Sequence, residues 1–212
     1  MAGAVVAGAA AGVPVEMFVA GADASSAQAG QPAPAREPLE TLTPDEAAIL
    51  DAMVARLIPT DATGPGATEA RAAHYIDRAL GGALSASRDV YRAGLASADA
   101  YARAAKGAPF AKLATTDQDA VLGDMEHNAA TGFATGSAAF FNLVLAHTLQ
   151  GTFGDPHYGG NRNFAGWDLI GYPGVRLAVT ADQQRLDVRP TPTHMSAYDY
   201  SMFSTRKPAR GD

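Results

Sequence analysis

The sequence predicts an all-α fold: a single bundle of about five helices, with a Gly/aromatic-rich loop region and an extended C-terminal arm. Apolar residues between Ile49 and Leu149 recur at three- and four-residue spacing, the period of a helix that buries one face. Helix-starting and helix-stopping residues bracket these stretches. No run before residue 175 alternates apolar and polar residues with the period of two that marks a strand. The chain has 212 residues and is 47% apolar, enough for one domain with a real core.

Residues 1–38 read as a signal remnant and flexible linker. Ala4–Val15 is a weakly apolar run of Ala, Gly and Val, followed by small-residue sites at Ala22-Asp23-Ala24 and Ala27-Gln28-Ala29. The run is shorter than the ~20 apolar residues a membrane span needs. Such weak hydrophobicity suits a twin-arginine signal, although no Lys or Arg precedes Arg36 to form a basic leader. A plain Ala/Gly leader is the other reading. Residues 21–38 are rich in Ala, Gly, Ser, Gln and Pro, a spacer composition.

The helical domain is placed at 39–174. Thr43-Pro44-Asp45-Glu46 combines an N-cap Thr, Pro at the first helical position and Glu at the third, and Ile49, Met53 and Leu57 then mark the buried face as far as Pro59. Thr60–Thr68 is a Gly/Pro/Asp/Thr turn. A second helix is predicted from about Ala67 to Leu80, with Ala73, Ile76 and Leu80 inward and Gly81-Gly82 as its stop. A third spans about Leu84–Ala105, with Leu84, Tyr91, Leu95 and Ala98 inward, and ends at Gly107-Ala108-Pro109. Thr116 is the predicted cap of a fourth, Asp117 to about His127. The fifth begins near Ser137. It carries Phe140, Phe141, Leu143, Val144, Leu145 and Leu149 around most of its circumference, so it is predicted to be the central buried helix.

After this helix come Phe153, Tyr158, Phe164, Trp167 and Tyr172, interleaved with Gly154, Gly159, Gly160, Gly166, Gly171 and Gly174. Aromatics at this density either fold back into a core or dock a partner. The arm, 175–212, has few aliphatics and three prolines, with Tyr198, Tyr200 and Met202 alternating beside Phe203. In an extended segment those three share one side. The arm is either a strap laid across another protein or a segment packed back on its own bundle.

Charge and chemistry exclude several functions. The formal net charge is −6, against a nucleic-acid partner. Cysteine is absent, which removes disulfides, thiolate metal sites, Cys-ligated iron–sulfur clusters, attached c-type haem and thiol nucleophiles. There is no GxxxxGK[ST] loop, no strand-borne GxGxxG and no GxSxG elbow. The histidines at 74, 127, 147, 157 and 194 form no i, i+3 or i, i+4 pair. His147 reads as a core histidine able to bond a loop carbonyl. His147, Asp155 and His157 form the one candidate two-His, one-carboxylate metal set, and Asp155-Pro156 reads alternatively as a turn start. Asp117/Asp119 and Asp124/Glu126 are read as solvated charge, since i, i+2 pairs do not share a helical face.

Two stretches carry a family resemblance. GTFGDPHYGGN at 151–161 with GWDLIGYPG at 166–174, and LIPTDATGPGATEARAAHYID at Leu57–Asp77, resemble the small subunit of bacterial membrane-associated flavin dehydrogenases, the gluconate 2-dehydrogenase subunit 3 family. The resemblance implies a non-catalytic companion of a large FAD-containing dehydrogenase of the glucose–methanol–choline type, acting on a sugar or sugar acid in the periplasm. The complex would associate with the membrane and could include a cytochrome c subunit. This chain would hold no cofactor, and the FAD would sit in the partner. It also implies help in twin-arginine export. The surfaces nominated for the partner are Phe153, Asp155, Tyr158, Asn161, Arg162, Phe164, Trp167 and Tyr172 in the loop, and Tyr198, Tyr200, Met202 and Phe203 in the arm. The rival readings are a stand-alone metal enzyme using His147, Asp155 and His157, and a periplasmic scaffold domain without a flavoprotein.

Overall fold

The computed structural model describes residues 38–204. The predicted signal remnant, and the arm beyond residue 204, lie outside the described residues. Among these there are six α-helices and no strand: α1 Pro44–Leu57, α2 Ala72–Gly81, α3 Arg88–Lys106, α4 Thr115–Glu126, α5 Ser137–Phe153 and α6 Ala165–Ile170.

The cap of α1 is as predicted. Thr43 Oγ1 accepts the Glu46 N–H, and the Glu46 carboxylate accepts the Thr43 N–H at 2.8 Å, a reciprocal capping box. Leu50, Met53 and Val54 are fully buried beneath this helix. The segment leading into it is tied down by Asp77 of α2, a buried carboxylate that accepts the N–H groups of Glu40, Thr41 and Leu42 at 2.7, 3.0 and 2.7 Å.

The second helix starts later than predicted. Residues 67–71 form turns instead, because Gly66 lies flat on the end of α1, where a Cβ would stand 2.3 Å from the Ile58 carbonyl oxygen. Ala67 N–H donates back to Ile58 O at 2.8 Å, and Arg71 takes a left-handed conformation with φ of 60° that breaks helical continuity. Leu84 likewise precedes its helix: Ser85–Ser87 is a 3₁₀ turn, and Arg88 donates to the Leu80 carbonyl at 2.9 Å. The expected cap at Thr116 is displaced to Ala114, whose carbonyl accepts from Asp117 and Gln118 at 3.0 Å each.

The central helix is α5, which packs against α1, α2, α3, α4 and α6. Its approach to α3 depends on Gly94, where a Cβ would lie 2.3 Å from the Phe140 ring. Its approach to α2 depends on Gly151, whose Cβ would lie 2.9 Å from Ala72 Cα. The helix is not buried all round, however. Phe140, Phe141, Val144, His147 and Thr148 face inward, Leu143 and Leu145 are half-buried and Leu149 is exposed. An apolar circumference is buried only where neighbouring elements cover it.

The carboxylates read as solvated mostly bridge helices. Asp119 makes a two-pronged pair with Arg56 of α1 at 2.6 and 2.8 Å, Asp117 meets Lys106 of α3 at 3.0 Å, and Asp124 accepts the Tyr101 hydroxyl at 2.9 Å.

Candidate functional site

The Gly/aromatic region is folded back onto the C-terminal end of α5, and Asn161 is its knot. Asn161 is fully buried at φ 44°. Its Nδ2 donates to Gly154 O at 2.8 Å, its Oδ1 accepts Gly166 N–H at 2.9 Å, and its own N–H donates to Gly151 O at 2.7 Å. The glycines serve the same close approach: a Cβ would stand 2.1 Å from Gly151 O at Gly160, and 1.9 Å from Thr152 O at Gly166. What the sequence read as loop contains α6. On that helix Trp167 is only 4% exposed, and its Nε1 donates to the Phe153 carbonyl at 2.9 Å.

The arm returns to this region and closes on it. Val175 N–H donates to Met195 O at 2.8 Å, and Thr193 N–H to Pro173 O at 2.7 Å. His194 stacks on Phe164 at a centroid distance of 4.7 Å, while its Nε2 lies 2.7 Å from Asp168 Oδ1. Ser196 Oγ and Ala197 N–H donate to the two oxygens of Asp155 at 2.7 and 2.9 Å. Tyr198 stacks on His157 at 3.7 Å, and its hydroxyl lies 2.7 Å from that of Tyr158. The Tyr200 hydroxyl donates to Val175 O at 2.8 Å. These contacts form an aromatic clip between 153–174 and 193–200.

Burial pushes the Asp155 carboxyl up. The bonds from Ser196, His157 N–H and Ala197 N–H, with the His157 ring beside it, outweigh that and hold it below the usual carboxylate range. As predicted, Asp155 starts a turn, accepting His157 N–H at 2.9 Å.

Of the residues nominated for a partner, Asn161 and Trp167 lie inside this chain and are corrected to internal roles. Phe153, Asp155, Phe164, Tyr198 and Tyr200 are half-buried within the clip, whereas Tyr158, Arg162, Tyr172, Met202 and Phe203 remain exposed. The expected one-sided alternation of Tyr198, Tyr200 and Met202 is also corrected. Ala197–Asp199 is a 3₁₀ turn started by a Ser196/Asp199 capping box, so the two tyrosines bond in different places. The Ser-x-x-Asp spacing was the signal for it. His194 and Asp168, central to the clip, had no sequence signal; they meet only in space.

The His147, Asp155 and His157 metal set is not assembled. His147 Nδ1 lies 2.9 Å from the Tyr91 hydroxyl, within the bundle, rather than on a loop carbonyl. Burial holds its pKa below the ordinary histidine value and pushes the Tyr91 phenol well above its own. Asp155 holds the arm, and the His157 ring stacks on Tyr198. Among the described residues, no three His, Asp or Glu side chains are grouped to hold a metal ion.

A family model described as gluconate 2-dehydrogenase subunit 3 matches residues 44–174, from the first turn of α1 to the glycine that ends the aromatic region. The chain belongs to the gluconate 2-dehydrogenase subunit 3 family. Comparison with curated proteins and with solved structures finds no match. The segment matched to the subunit 3 family contains one jaw of the clip; the other jaw, 193–200, lies beyond the matched residues. Among the described residues of this subunit 3 chain, no helix is long and apolar enough to cross a membrane.

Proposed function

We propose that this chain is the non-catalytic small subunit of a periplasmic FAD-dependent sugar or sugar-acid dehydrogenase complex. It binds the large flavoprotein subunit, stabilises it and accompanies it through twin-arginine export. The family match over 44–174 carries this reading. A partner without its own signal crosses the membrane only in a complex assembled beforehand, which requires an extensive and specific interface.

The flavin belongs to the partner. A dinucleotide cradle needs a strand, a glycine turn and a helix N-terminus. Here the glycines at 160 and 166 are pressed against carbonyls of α5, which accounts for them without a phosphate turn. Electrons leaving the flavin would pass to groups on other chains, since this sequence has no cysteine to hold a cluster or an attached haem.

The test is co-expression with the host's FAD-containing dehydrogenase subunit, followed by purification and dye reduction with sugars. The expected outcome is a yellow, active complex, whose large subunit stays behind the membrane when this chain is omitted. Flavin binding or sugar turnover by the lone chain would overturn the reading.

A further inference from the structure

Between Val175 and Met195 the chain leaves the body and comes back. Both feet of this loop are tied, by the Val175–Met195 and Thr193–Pro173 bonds and by the Tyr200 hydroxyl on Val175 O. Between the feet there is almost no cover. Leu177 is 54% exposed, Val179 53%, Leu186 106% and Val188 37%. Among the described residues the tip is held by bonds within itself: a 3₁₀ turn at Asp182–Gln184, Thr180 with Gln183, Val188 N–H on Arg185 O at 3.3 Å, and the Arg185–Asp187 pair at 2.7 Å. A loop this long with so little structure of its own is uncommon in a compact domain, and is usually functional or a disordered linker. A linker would not need fixed feet. Aliphatic side chains left in water contribute nothing to the lone chain, whereas tied feet lower the ordering cost when another surface covers them.

The pattern says what kind of surface. Val175, Leu177 and Val179 alternate with Arg176, Ala178 and Thr180, and Leu186 and Val188 alternate with Arg185, Asp187 and Arg189. Each limb, where extended, presents aliphatics on one side. Residues 176–192 hold three Arg and two Asp, a net charge of +1 in a chain whose net charge is −6, so the loop is opposite in sign to the chain as a whole. At its foot, Arg176 keeps Nε and Nη2 out of water with no acceptor among the described residues. Guanidinium N–H groups in that position are unfavourable until a carboxylate or carbonyl reaches them.

We infer that residues 176–192 are the docking element of this chain. They seat Leu177, Val179, Leu186 and Val188 in an apolar furrow of the large flavoprotein subunit, with carboxylates of that subunit drawn to Arg176 and Arg189. The identity of the partner rests on the proposed function. A second copy of this chain fits less well. Of the three carboxylates lining the furrow between α1 and α3, Glu46 and Asp99 are already engaged, with Thr43 and with Arg103 and Phe110 N–H, and the furrow also holds Arg92 and Arg103, which repel the loop's arginines.

The experiment titrates the full chain against the host's FAD-containing dehydrogenase subunit. It uses the parent, a variant with Leu177→Ser, Val179→Ser, Leu186→Ser and Val188→Ser together, and Leu186→Glu alone. Both variants are expected to keep the parent's unfolding midpoint. Kd is expected to rise ~100-fold or more for the fourfold change, and ~10-fold for Leu186→Glu, as when central anchors are lost. Parent-like binding by both variants overturns the docking loop and leaves the subunit role standing. A parent that forms no complex overturns both. A lowered unfolding midpoint in the fourfold variant, with unchanged binding by Leu186→Glu, shows that the loop packs at home and overturns the inference. Self-association of the parent that both variants abolish assigns the loop to a second copy and overturns the partner named here.

Discussion

Single side chains decide what the aromatic region is for. Trp167 has the largest ring in the chain, and its burial with an Nε1–carbonyl bond makes it an internal anchor. Trp167→Ala is therefore expected to destabilise the isolated chain by ~3–5 kcal/mol, read from the denaturant midpoint, as for other large-to-small core changes. An unchanged midpoint would place the ring at an interface instead. Asp77 works at the other end of the fold, receiving three N–H groups from residues 40–42. Asp77→Ala strands those donors at a partly buried site. A loss of ~3 kcal/mol or more is expected, since each unmet donor costs ~1–3 kcal/mol. Hydrogen exchange at Thr41 and Leu42 should quicken with it.

At the scale of helices, the bundle is set by small residues that let backbones meet. Gly94 of α3 receives the Phe140 ring of α5, and there is no open volume for even one methyl. Gly94→Ala is expected to destabilise by ~1–3 kcal/mol through overpacking, although alanine is the better helix former by ~1 kcal/mol. Adding Phe140→Leu should recover part of the loss. The two changes measured singly and together would show that coupling, and strict additivity would refute it. The caps behave more locally. Thr43→Ala removes one half of a capping box and should cost ~1 kcal/mol of thermal stability.

Across the whole molecule, the clip makes the arm part of the fold and links stability to pH. The Asp155 carboxyl is held below its ordinary range in the folded chain, so the unfolded chain takes up its proton first as pH falls. Its contribution is complete above about pH 4 and is lost as pH drops through the lower folded value. His147 has the same sign. The fold holds it neutral by burial, so stability begins to fall below about pH 6.5, where the unfolded ring becomes charged. Unfolding midpoints measured from pH 8 to pH 3 should therefore decline in two stages. Asp155→Asn should lessen the acid stage, which Glu69 and Asp119 share because hydrogen bonds hold them below the carboxylate range as well, and His147→Gln should flatten the earlier one; an unaltered profile in either variant removes that group from the account.

The fold class, the capping box on α1, the glycine stop of α3 and the family are all legible in the order of residues. Each rests on contacts within a few residues or on spacing along one helix face, which the chain order alone specifies. Tertiary structure decided the rest. The meeting of His194 with Asp168, of Ser196 with Asp155 and of Tyr198 with His157 joins residues that no local period relates. The same holds for Leu149, apolar by pattern yet 44% exposed. Burial depends on what the rest of the chain places nearby, so the nominated aromatics became a clip that the chain makes with itself, and the exposed aliphatics passed to the loop that the clip holds out.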